Sequence, residues 1–116
     1  MINVLAAIVL TLGSGLLDAL GFVHASRVWR DDHLVMSEAA RTFAYFLAGV
    51  GAYVFVVRYL DRLGFTAPEL QTLMWFTVTV LGVAVIERSL GDWATIDRFV
   101  AAIALLSVGW LVARHG

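Results

Sequence analysis

Long apolar runs alternate with short charged segments along the whole of this chain, and that alternation leaves few folds open to it. Residues 2–23 hold a single charged side chain, Asp18, and the runs Thr42 to Val57, Leu70 to Ile86 and Phe99 to Ala113 hold none. Each of the last three is slightly short of the roughly 20 residues that cross a bilayer's hydrocarbon. Arginines bracket them at Arg41, Arg58, Arg88, Arg98 and Arg114, and long arginine stems reach the interface from within a span. The pattern predicts an all-α integral membrane protein, a four-transmembrane-helix bundle forming one domain over 1–116, with spans near 2–25, 40–60, 69–88 and 95–114.

Composition agrees. Of the 116 residues 61% are hydrophobic and 15% charged, and the mean hydropathy is +0.88, well above an ordinary soluble domain. The absence of cysteine excludes disulfides, thiolate metal sites and thiol redox chemistry. A net charge of -1 offers no electrostatic footprint for nucleic acid. His24, His33 and His115 fall at span ends or in loops with no metal-ligand spacing, and no nucleophile stands near a base, so neither a metal, a cofactor nor an enzyme is expected. A signal peptide would need a basic start and a shorter apolar core. No basic residue precedes Arg27, so a retained helix is expected.

The connections read as loops. Segment 27–40 carries Arg27, Arg30, Asp31, Asp32, His33 and Glu38, with Ser37 placed to cap the second helix. Segment 61–69 holds Asp61, Gly64 and the only proline, Pro68, beside Glu69, which suits the start of the third helix. Segment 87–98 holds Glu87, Arg88, Gly91, Asp92 and Asp97, with Glu87 and Arg88 reading as a solvated interfacial pair. An even number of spans puts Arg58, Arg62 and Arg114 on one side and Arg27, Arg30, Arg41, Arg88 and Arg98 on the other. The excess of positive charge places loops 1 and 3 in the cytoplasm, by a small margin.

Asp18 is the chief functional suspect. A carboxylate within a span costs roughly 2.5 to 3.5 kcal/mol on insertion scales, and such groups face a partner, a cavity or a transported ion. Thr11, Ser14, Asp18, Gly21 and Ala25 recur at spacings of three and four, so they share one helix face. The small members of that face, with Gly15, also suit close helix packing. On the second helix Tyr53 lies well inside, where its hydroxyl needs either a carboxylate or a backbone carbonyl as partner, with Ala48, Gly49, Gly51 and Ala52 nearby. Tyr59 at the helix end suits an interface anchor. Thr72, Trp75, Thr79 and Gly82 share a face of the third helix. Trp75 suits an interfacial belt by position, or a cation-holding aromatic wall if it lies near Asp18. On the fourth helix Ala101, Ala104, Ser107 and Val108 form a small-residue face for contact within or between subunits.

Trp75 opens the third helix, Gly91 follows sixteen residues later, and Ala94-Thr95-Ile96-Asp97-Arg98 leads into a small-residue last helix with Gly109 near its end. In these features the chain resembles the small multidrug resistance proteins of the drug/metabolite transporter superfamily. The resemblance implies a homodimer of four-helix chains in which Asp18 stands for the family's acidic residue of the first helix, Tyr53 for its tyrosine of the second, and Trp75 for its tryptophan of the third. The acid here is aspartate rather than glutamate, and loop 1 is longer and more charged, through Trp29-Arg30-Asp31-Asp32-His33.

The resulting expectation is a small dimeric secondary transporter of the prokaryotic inner (plasma) membrane. Asp18, Tyr53 and Trp75 would bind protons and a small cationic solute in exchange, and Thr11, Ser14, Thr72 and Thr79 would line the cavity. Two carboxylates facing one cavity would titrate as a coupled unit. A second expectation, from another class, is a structural or accessory membrane subunit whose Asp18 pairs with a residue of a larger complex. A third is a small ion channel lined by Thr11, Ser14 and Asp18.

Overall fold

The computed structural model describes residues 1–88 and 90–115, and the side chains of all of these except Leu90, Val112 and His115. Four α-helices account for most of them: α1 (Ile2–Ala25), α2 (Met36–Arg62), α3 (Pro68–Ile86) and α4 (Thr95–His115). Among the described residues three helices, α1 to α3, are long and apolar enough to cross a membrane. Helices satisfy every backbone donor and acceptor within one segment, which is why apolar runs of this length take that form in lipid. The chain is an all-helical integral membrane protein.

Its surface is more apolar than that of a water-soluble bundle, while the interior mixes apolar side chains such as Val56 and Leu60 with several polar ones. Leu47 is 78% exposed, and Ile8, Leu12, Phe43, Phe55 and Leu106 also face outward, whereas Ser14, Asp18 and Thr79 lie at 2% exposure or less. Within the spans, polar groups such as Ser14, Asp18 and Thr79 turn inward because hydrocarbon offers them no hydrogen-bond partner.

α1 is the central element. It packs against both α2 and α3, whereas α4 packs chiefly on α3. Glycines set how closely the three approach. A Cβ on Gly15 would overlap the Val78 side chain of α3, and one on Gly82 would come within 2.9 Å of the Ala19 Cβ. On the other side, a Cβ on Gly21 would lie 2.6 Å from the Phe46 ring of α2. Small residues draw membrane helices together in the absence of a hydrophobic force between them.

The ends of the helices are locally specified. α2 stops in a Schellman arrangement: the Gly64 N–H donates to Asp61 O at 3.1 Å and the Phe65 N–H to Leu60 O at 2.9 Å, with Gly64 at φ +90°. Phe65 packs against the buried cluster that holds Leu60, the kind of apolar contact that often accompanies the motif. The buried Gln71 then clamps the turn, its Nε2 donating to Asp61 Oδ1 at 2.9 Å and to Phe65 O at 2.6 Å. Pro68 occupies the first turn of α3, where a missing N–H costs nothing.

Loop 1 departs from the expected irregular loop. Two short strands, β1 (Trp29–Arg30) and β2 (His33–Leu34), pair antiparallel with Trp29 opposite Leu34 and Arg30 opposite His33. Asp31 and Asp32 form the two-residue turn with φ of 52° and 62°, the geometry of a type I′ hairpin. Its closure draws Met36 to Ala40 into α2, so this helix begins at 36 rather than near 40. Val35, not Ser37, takes the N-cap position, and no side-chain cap bond forms there. α3 ends at Ile86 rather than 88, with Arg88 in a left-handed conformation at φ 55°. Glu87 and Arg88 are both exposed at the end of α3, as expected of solvated residues there. Glu87 also accepts from Arg27 of loop 1 at 3.0 Å, which brings loops 1 and 3 to the same end.

Candidate functional site

Asp18 lies at the junction of α1, α2 and α3 and is 1% exposed. α1 buries the face Thr11, Ser14, Gly15, Asp18, Gly21 against its two neighbours, so the three-and-four spacing that groups these residues also sends the carboxylate inward. Its two oxygens meet different surroundings. Oδ2 accepts a hydrogen bond from the Trp75 indole Nε1 at 2.7 Å. Oδ1 is buried and has no hydrogen-bond partner among the described residues.

Trp75 therefore turns its indole N–H toward the acid. Indole is a donor only, and a donor buried in a span needs an acceptor; Asp18 supplies it. Tyr53 reaches the site differently from the expected hydroxyl contact. Its ring packs edge-on to Trp75, with centroids 6.1 Å apart and planes at 65°. The tyrosine thus braces the indole while the indole holds the acid.

Asp18, Val50, Tyr53, Thr72 and Trp75 line one cavity of about 200 Å³ between α2 and α3, with α1 as its floor. Val50 and Thr72 are exposed at its rim. The Thr72 hydroxyl donates to Pro68 O at 2.8 Å, so the cavity meets little of its polarity.

The remaining candidates are dispersed. Thr11 lines a separate cavity of about 330 Å³ with Leu60, Leu63, Phe65 and Met74, and its buried hydroxyl has no partner among the described residues. Thr79 belongs to the α1–α3 seam and borders a third cavity with Phe22 and Trp93, its hydroxyl donating to Trp75 O at 2.9 Å. Ser14, wholly buried, lines none of these cavities. Its Oγ donates to Gly49 O at 2.8 Å, tying α1 to α2 one helical turn before Asp18.

Gly49 is the member of the site whose role the sequence reading did not assign. A Cβ there would overlap Asp18 Oδ1 and lie 2.6 Å from its Cγ, so glycine alone leaves space for the carboxylate. The signal was its position four residues before Tyr53, which places both on one face of α2. Val50 was likewise missed.

At the loop 1 end, His24 Nδ1 and Glu38 Oε2 are 2.5 Å apart, and the His24 ring stacks on Tyr45 at 5.4 Å. Arg41 also donates to Glu38. These groups join α1 to α2 near the end of α1, and no metal-holding group is found among the described residues. On α4, Ala101, Ala104 and Val108 border a cavity against α3, while Ser107 faces outward and donates to its own helix at Ile103 O.

What the arrangement offers chemically is one carboxyl group in an apolar span, with one oxygen held by an aromatic donor and the lone pairs of the other unused, beside a small cavity lined by two aromatic side chains. A carboxyl so placed can hold a proton or, once ionised, a cation. No family model, no curated protein and no solved structure matches this chain.

Proposed function

We propose that this chain is a four-span subunit of a small dimeric secondary transporter, akin to the small multidrug resistance proteins, that exchanges protons for a small cationic solute at Asp18. The carrying observation is the carboxylate itself: one acid within the first apolar span, turned inward, with Oδ2 held by Trp75 and Oδ1 left without a partner. A proton and a cation compete for that group. Binding the cation expels the proton, and proton return on the other side of the membrane releases the cation as the dimer alternates between faces.

Tyr53 and Trp75 line the cavity beside the acid, and aromatic side chains there can help to hold a desolvated cation. In the dimer the cavities of two copies, open at the Val50 and Thr72 rim, would join so that the two Asp18 carboxylates titrate together. α4 would complete the four spans in each copy. The expected setting is the prokaryotic inner (plasma) membrane, and no catalysis is attributed to the chain. An accessory-subunit role draws less support, because Asp18 faces its own helices instead of the bundle surface.

The test is proton release from purified protein in detergent on addition of a panel of small organic cations. Release in the wild type and none in Asp18→Asn is expected; equal release from both overturns the reading.

A further inference from the structure

Asp18 Oδ1 is neither solvated nor hydrogen-bonded, and the reason is the α2 backbone at Gly49. With no side chain at 49, α2 lies directly over this oxygen. One turn earlier on α1, Ser14 donates to the carbonyl of the same glycine at 2.8 Å. Membrane threonines and serines ordinarily return their hydroxyl to the carbonyl four residues back. Thr42, Thr72, Thr77, Thr79 and Ser107 all do so here. Ser14 instead spends its hydrogen bond across the helix interface, at the level where α2 covers the acid.

We infer that Ser14 and Gly49 form a latch that seals Asp18 against α2, and that a cation reaches Oδ1 only when Ser14 releases the Gly49 carbonyl. The inference rests on the transport reading for the cation, and on geometry alone for the seal. Sealed in this way, Oδ1 has room for a proton and for nothing larger. Val50 and Tyr53 line the Asp18 cavity and follow Gly49 on α2 by one residue and by one helical turn. A shift of α2 that breaks the Ser14 bond therefore moves the cavity wall and uncovers the carboxyl in one step. Ser14 is a positioning residue, acting through the backbone of its neighbour, and one hydrogen bond is weak enough to open at each cycle.

The seal is read directly with dicyclohexylcarbodiimide on the full chain in lipid vesicles. The carboxyl O–H adds across a C=N bond of the reagent and the adduct rearranges to a stable N-acylurea, which peptide mass analysis places at Asp18. Ser14→Ala should speed labelling by about three- to tenfold, the factor that one net hydrogen bond supplies. Gly49→Ala should do the same by displacing the carboxyl. Gly13→Ala and Gly51→Ala are the controls, since a Cβ at either meets nothing within 4 Å. The pH midpoint of labelling should stay in place, because the latch governs access rather than proton affinity.

Wild-type labelling in Ser14→Ala overturns the latch, as does equal acceleration in the two controls or an acceleration that arises wholly from a moved midpoint. Helix content and unfolding midpoint establish that each variant is folded, and Ser14→Ala decides alone should Gly49→Ala not fold. Labelling needs no transported solute. Faster labelling in Ser14→Ala together with unchanged proton release in Asp18→Asn leaves the latch standing while the transport reading fails.

Discussion

The indole of Trp75 donates to Asp18 Oδ2 at 2.7 Å, joining α3 to the one acid of α1. Trp75→Phe keeps an aromatic ring, though a smaller one, and removes the donor, leaving a buried carboxyl with neither oxygen bonded. A loss of about 1–3 kcal/mol is expected, the cost of an unsatisfied buried polar group. Unfolding in mixed micelles measures it. A loss well below 1 kcal/mol would show that the bond contributes little.

The seam between α1 and α3 depends on Gly15. Gly15→Ala places a methyl against Val78, and overpacking of this kind costs about 1–3 kcal/mol. Gly13→Ala, two residues away on an open face, should be neutral or slightly stabilising, as alanine is the better helix former. Comparison of the two unfolding midpoints separates close approach from helix propensity.

The native chain has no cysteine, so single cysteines report topology without background. The Arg27–Glu87 contact puts loops 1 and 3 together. Arg27→Cys and Asp92→Cys should therefore react with a membrane-impermeant maleimide from one side of sealed vesicles, and Asp61→Cys from the other. If α4 crosses as proposed, Ala113→Cys labels with Asp61→Cys. Labelling together with Asp92→Cys would leave only three spans.

The hairpin turn carries two aspartates at positive φ, a conformation that glycine adopts without strain. Asp32→Gly should firm the turn by a few tenths to about 1 kcal/mol. Slower amide exchange at Val35, whose N–H donates to Val28 O at 2.7 Å, is the expected readout; faster exchange would contradict it.

Several of these features were legible along the chain. The Gly64 and Pro68 pair marked the turn between α2 and α3, and the spacing of Thr11, Ser14 and Asp18 marked a common face. Both are local: a turn depends on a few adjacent dihedrals, and a face on the fixed period of the helix. The hairpin of loop 1 was not legible, because Asp31-Asp32 lacks the glycine that usually signals a type I′ turn. Ser37 looked like a cap for the same reason, since its position inside α2 follows from the hairpin that precedes it.

By itself the sequence determined that this protein lives in a membrane, that its apolar segments are helices, and that Asp18 is the group to explain. Hydropathy and helical period decide these matters segment by segment, because lipid offers the backbone no other partners. Only the tertiary structure decided that Trp75 rather than Tyr53 bonds the acid, that Thr11 and Thr79 lie in other cavities, and that Gly49 closes over Oδ1. Those outcomes depend on the depth and rotation of each helix against the next, which Gly15, Gly49 and Gly82 set by how near they let the backbones come.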